Sequence, residues 1–239
     1  MDYPVEIKLN VEPPTIDDAL AALGLRDSDA EPRAIYFCAA QDGQPGWGQS
    51  GVVLRLRRDA DSADSTLKFR PCREAELPPR WATPSEGGDW TFRIEHDWAG
   101  GREPVLSSSL VTTLDGDETG SALANRDVSS LFSTDQRGLF ADYAGFPLNT
   151  TDVRVLGPVR ARKWKTKLGG RKINCEEWVV GDELRFLELS DREDDPARAA
   201  QTRRELLTRC KRLRVHISTV PELKTQLAMD YFSRTQAAS

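Results

Sequence analysis

Segment after segment of this chain alternates apolar residues with full charges, and that alternation constrains the fold more than any other feature. Val5, Ile7, Leu9 and Val11 alternate with Glu6, Lys8 and Asn10. Leu54 and Leu56 alternate with Arg55 and Arg57, and Leu67 and Phe69 with Lys68 and Arg70. Phe92 and Ile94 alternate with Arg93, Glu95 and Asp97. Around 158–165, Val159 and Ala161 stand opposite Arg160 and Arg162, and around 184–190 Leu187 and Leu189 stand opposite Glu188 and Ser190. Period two is the signature of a strand with unlike faces. Two further runs, 34–39 (AIYFCA) and 173–180 (INCEEWVV), are rich in β-branched and aromatic residues and read as strands as well.

Strands in this number can close into a barrel. The expected fold is α+β, an eight-stranded antiparallel closed β-barrel covered by several helices. Which face turns inward decides what such a barrel can do. Antiparallel sheets commonly bury the apolar face and expose the charged one. Two features favour the inverted arrangement, a tunnel with a polar interior. The amphipathic helices need apolar surface to cover, and the charges recur as Arg and Glu at central strand positions.

The helices are expected at 16–23, 134–144, 196–213 and 221–232. The first has Thr15 as N-cap and Gly24 as stop. The second follows Ser133, which forms a capping box with Gln136, and ends at Gly145. The third opens on Asp195 and Pro196 and carries Ala199, Leu206, Cys210 and Leu213 as its apolar stripe. The fourth carries Leu223, Leu227 and Tyr231. Residues 41–51 read as a turn-rich loop, and 99–130 as a long connection with a short strand at 110–114. No repeat or linker divides residues 1–239, which read as a single domain.

Composition narrows the function. Lys plus Arg number 33 against 38 Asp plus Glu, a net charge of −5, which argues against a general nucleic-acid binder. Two histidines cannot make a His-rich metal site, and the four cysteines form no CxxC pair. They read as small buried apolar residues of a reduced, cytoplasmic protein. No apolar run is long enough to span a membrane, and the N-terminal segment lacks the pattern of a secretory signal. The basic residues between Arg203 and Arg214 read as a solvated helix face. Trp164 and Trp178 are expected on the barrel exterior or at its rim.

The polar strand faces together hold Lys8, Arg55, Arg57, Lys68, Arg70, Arg93, Arg160 and Arg162, against Glu6, Glu95, Asp97 and Glu188, a surplus of four positive charges in a protein of net charge −5. Unpaired buried charge costs several kcal/mol per ion. A compact polyanion whose oxygens match Arg forks would balance the cations. A divalent cation would let carboxylates share the site with that anion.

Five segments in order, VEIKLNV, GVVLRLRRD with STLKFR, FRIEHD, LGPVRARKWK and RFLELS, resemble the CYTH family of the triphosphate tunnel superfamily. The resemblance implies hydrolysis of a triphosphate-containing substrate (inorganic triphosphate, a nucleotide or thiamine triphosphate) with Mg²⁺ or Mn²⁺. By matching position, Lys8, Arg55, Arg57, Lys68, Arg93, Arg160 and Arg162 would bind phosphate. Glu6 and Glu188 would hold metal, and Glu95 and Asp97 would orient the attacking water. The family's Glu-x-Glu-x-Lys here begins with Pro4, and its final Glu-x-Glu ends in Ser190. These departures keep two alternatives open, a non-catalytic polyphosphate- or nucleotide-binding domain and a scaffold with a vestigial tunnel. The implied partner is a small polyanion, with neither membrane nor nucleic acid expected.

Overall fold

The computed structural model describes residues 3–40, 51–149, 153–220 and 224–236; the turn-rich 41–50 segment and Leu223 lie outside these. Among the described residues ten strands form: β1 (Val5–Asn10), β2 (Glu31–Ala40), β3 (Val52–Arg58), β4 (Ala63–Phe69), β5 (Ser85–Glu86), β6 (Trp90–Ala99), β7 (Val105–Leu114), β8 (Val153–Leu168), β9 (Arg171–Val180) and β10 (Leu184–Glu193). The helices are α1 (Ile16–Ala22), α2 (Gly116–Ala124), α3 (Thr134–Ala144), α4 (Ala199–Arg212) and α5 (Lys224–Gln236). Hydrogen bonding runs in the order β1-β10-β9-β8-β2-β3-β4-β7-β6-β5, and a further β1–β6 pairing closes nine strands into a ring. The fold is therefore an α+β closed barrel, with β5 outside it. It departs from the expected eight antiparallel strands in two ways. The ninth strand is β7, and β1 pairs with β6 in parallel.

The supposed connection at 99–130 accounts for the extra strand. β7 carries its hydroxyls in runs, Ser107 to Ser109 and Thr112 with Thr113, and so has little period-two signal, but it pairs along all of β4, from Ala63↔Leu114 to Phe69↔Ser108. The chain then enters α2, whose cap is Asp115 accepting from the backbone N–H groups of Asp117 and Glu118.

The chain forms two compact units. One comprises residues 1–33, 95–104 and 159–239, the other 34–94 and 105–158. In the first, Val5, Ile7 and Leu9 of β1 pack in one apolar cluster with Ile16, Ala19 and Leu20 of α1 and Ala199, Leu206 and Cys210 of α4. Each fully buried Leu or Ile contributes about 1.5–3 kcal/mol. The apolar strand faces of this unit lie beneath helices, as the inverted arrangement requires.

In the second unit, Ser133 and Gln136 form the expected capping box of α3, which ends at Gly145 in the left-handed region. Gln136 is fully buried. Its side-chain N–H groups donate to the carbonyls of Ser65 and Leu110, both at 3.1 Å, and its oxygen accepts from Ser65 Oγ at 3.0 Å. One side chain thus fastens the helix start to two strands. Among the described residues no helix is long and apolar enough to cross a membrane. Gln136→Ala is expected to lower unfolding free energy in urea by about 2–4 kcal/mol, because it strands buried carbonyls and opens a cavity.

Candidate functional site

Residues directly opposite in a ladder share a face. In the first unit Lys163 stands opposite Glu176, Glu176 opposite Glu188, and Glu188 opposite Asn10. The next row on this face runs Lys165, Asn174, Ser190, Lys8. Glu6 faces Arg192 on one side and Asp97 on the other. β1, β6, β8, β9 and β10 thus assemble one charged face on the side away from the α1–α4 cluster.

Lys8 organises this face. Its Nζ lies 2.6 Å from Asp97 Oδ1 and 2.8 Å from Glu6 Oε2. Asp97 is fully buried. Burial pulls the Lys8 ammonium toward lower pKa, but Glu6, Asp97 and Glu188 more than offset it and the net shift is strongly upward. Lys8 therefore stays charged through neutral and alkaline pH. Glu6, Glu95 and Asp97 each present a carboxylate oxygen, and these atoms all lie within 4.8 Å of one another, a group that can hold a metal ion. Oxygen donors of this kind suit a hard divalent cation.

Glu188 is not part of that group. It sits with Glu176 around Lys224, at the start of α5, a residue with no distinguishing signal in its local sequence. Lys224 Nζ lies 3.0 Å from Glu188 Oε1 and 3.1 Å from Glu176 Oε2. The same ammonium lies 4.2 Å from the ring centroid of Trp178. Trp178 is thus buried on the charged face, opposite in direction to Trp164. Burial again pulls the Lys224 ammonium down, and Glu188 and Glu176 raise it further than burial lowers it.

The register separates Arg160 and Arg162 from this set. Arg162 stands opposite Glu177 and shares its face with Trp164, which lies in the apolar cluster with α1 and α4. Glu177, 1% exposed, accepts from Arg162 Nε and Arg185 Nε, each at 2.6 Å. Arg162 also pairs with Asp27, and Arg185 with Asp17 of α1. Arg160 is exposed and donates to the carbonyl of Gly181 at 3.4 Å. The physical reason is the phase of β8, where burial of Trp164 beneath the helices outweighs that of Val159 and Ala161. The cations that β8 turns to the charged face are Lys163 and Lys165, and the large ring at Trp164 was the sequence signal for that phase. Burial first, then Arg33 and Lys165, hold Lys163 below the ordinary lysine range.

The second unit has its own charged face. Arg57 stands opposite Asp64, Arg55 opposite Thr66, and Val53 opposite Lys68. Arg57 Nε reaches both Asp64 oxygens at 2.9 and 3.0 Å, and Arg55 donates to Thr66 Oγ1 at 3.3 Å. Phe37 and Ile35, both fully buried, stand opposite Arg55 and Arg57. The arginines are therefore oriented by β4 and flanked by apolar groups, which lower the local dielectric and strengthen their fields. Arg93 lies on the same side of β6 as Glu95 and Asp97 by alternation, but is exposed.

No family model and no curated protein matches the chain. Among solved structures it is similar to the putative adenylyl cyclase HpAC1 from Hippeastrum, described as having a dominant triphosphatase activity, at 17% identity, TM-score 0.63 and 94% of each chain. It is also similar to a putative adenylate cyclase from Bacillus halodurans, at 14% identity and TM-score 0.61, over 94% of this chain and 97% of that one. The likeness to these two structures is one of fold.

Arg162→Ala is expected to act on stability, lowering it by about 1–3 kcal/mol in urea because buried Glu177 keeps only Arg185. Anion affinity should be unchanged in the same variant, measured with tripolyphosphate.

Proposed function

We propose that this protein hydrolyses a triphosphate-containing substrate with the help of a divalent cation. One observation carries this reading: three carboxylates converge within 4.8 Å beside a half-buried lysine, on a strand face that otherwise holds further cations. An acidic cluster alone would bind cations and repel phosphates. A cluster that holds Lys8, on a face that also carries Lys163 and Lys165, can take both.

Glu6, Glu95 and Asp97 would hold the Mg²⁺ or Mn²⁺, which when bound neutralises phosphate charge. Lys8 holds two of these carboxylates in place and presents positive charge beside them. Lys163 and Lys165 supply further cations from β8. Arg55, Arg57 and Lys68 are proposed to take phosphate oxygens, with Asp64 and Thr66 fixing the two guanidiniums beforehand. Phosphoryl transfer needs little covalent chemistry from a protein, so positioning and charge stabilisation carry the rate. Glu95 and Asp97 are also the carboxylates proposed to orient the attacking water, with Asp97 held by Lys8 at 2.6 Å and Glu95 3.6 Å from Arg192.

A specific observation favours the non-catalytic alternative, a polyphosphate- or nucleotide-binding barrel. Ser190 faces Lys8 across the ladder where the resemblance implies a carboxylate, and Glu188 is engaged by Lys224. One assay separates the two. Tripolyphosphate, ATP and thiamine triphosphate are each incubated with the protein, with and without Mg²⁺ or Mn²⁺, and phosphate release is followed. Metal-dependent release from at least one is expected, with Glu95→Gln lowering kcat about 10²-fold or more. Binding without release under any metal would replace hydrolysis by the binding reading. Lys163→Ala should weaken tripolyphosphate binding in either case.

A further inference from the structure

Lys224 is the only charged-face residue described above that a helix, rather than a strand, supplies. Its surroundings are those of a metal ion rather than of a surface lysine. Glu176 and Glu188 stand opposite each other on adjacent strands, and their side chains are 21% and 12% exposed. The Lys224 ammonium sits between them at 3.1 and 3.0 Å, with Trp178 at 4.2 Å. Arg33 Nη1 approaches Glu176 from β2 at 3.6 Å. Two carboxylates opposite one another repel strongly in a half-dry site, and a cation must lie between them.

α5 is built to keep that cation there. Ala228, Met229 and Phe232 are buried along its length. The helix also lies against the turn after β9, where a Cβ on Gly181 would stand 1.9 Å from Tyr231 Oη. Gly181 has a φ of +57°, so the turn and the close approach both call for glycine.

We infer that Lys224 is a built-in cation occupying the place that a second divalent ion would otherwise take between Glu176 and Glu188, so that α5 limits the charged face to a single metal at Glu6, Glu95 and Asp97. The inference deepens the proposed function and rests on it for the metal at that first cluster. At Glu176 and Glu188 an ammonium already stands where an ion would have to lie, whereas at Glu6, Glu95 and Asp97 three carboxylate oxygens converge within 4.8 Å of one another.

Mn²⁺ titration of the full chain tests this, with bound ion counted by calorimetry or by the spin-resonance signal of free Mn²⁺. The unmodified protein should bind one Mn²⁺ and Lys224→Met two. The second ion should vanish in Lys224→Met combined with Glu188→Gln, and Lys224→Arg should bind one. Two ions on the unmodified protein, or no added ion on folded Lys224→Met, would overturn the inference. If the unmodified protein binds none while Lys224→Met binds one that Glu188→Gln removes, the metal assignment at Glu6, Glu95 and Asp97 fails and the role of Lys224 stands. Should Lys224→Met prove unfolded, millimolar Mn²⁺ should restore its melting transition. Failure of that rescue would also overturn the inference.

Discussion

Charge on the barrel strands is tolerable only because each carboxylate of the charged face has a cation within reach. Lys8 is the pivot. It lies on the first strand, touches Glu6 from its own strand and Asp97 from β6, and stands opposite Ser190 of β10. Asp97 is fully buried, and a buried carboxylate without a cation would have to take up a proton or force the strands apart. The parallel β1–β6 pairing closes the ring at the strands that carry this contact. Closure and site chemistry therefore depend on the same ammonium group.

The helix-covered face of the first unit is not purely apolar, and its exceptions show the same rule at work. Glu177 is almost fully buried and is met by two guanidiniums, Arg162 and Arg185, which in turn reach Asp27 and Asp17. Asp191 and Glu193 are both met by Arg171, and Glu193 also accepts from Thr202 of α4 at 2.7 Å. These pairs fasten helices and connecting turns to strands. They share residue types with the charged face but lack its convergence, since none gathers three carboxylates into one group. Convergence, rather than the presence of Arg and Glu, distinguishes a site from a fastening.

Much of this was legible in the sequence because period two writes a strand's faces directly. Glu6, Lys8, Glu95, Asp97 and Glu188 fall on one charged face, and Ala199, Leu206 and Cys210 of the expected α4 stripe lie in the apolar cluster, whereas Leu213, just past the helix, is exposed. The phase of β8 was not legible from Arg160 and Arg162 alone. Either phase gives a clean alternation there, and only the bulk of Trp164, 2% exposed beneath helices, selects between them. Only the 110–114 end of β7 was legible, because its hydroxyls serve both faces: Ser109 stands opposite Lys68, and Thr112 stands opposite Ser65 of β4, which meets Gln136. Lys224 had no local signal at all, since one lysine at a helix start acquires meaning only when the chain brings it to Glu176 and Glu188.

The two departures from the family pattern, Pro4 and Ser190, look different once the cations are in place. Ser190 stands opposite Lys8, whose ammonium is already shared by two carboxylates. A third carboxylate there would add negative charge to a group that Lys8 alone must balance. Pro4 has no side-chain donor, but its carbonyl accepts the His96 N–H at 2.8 Å and so continues the β1–β6 ladder one residue past the strand. Measured against the pattern its segments resemble, the chain carries fewer carboxylates at these positions and a lysine between Glu176 and Glu188, and both changes make the face less negative. Under the proposed function, fewer negative charges need fewer metal ions, and a face that carries part of its own positive charge as lysine would bind a polyanion with a single divalent ion.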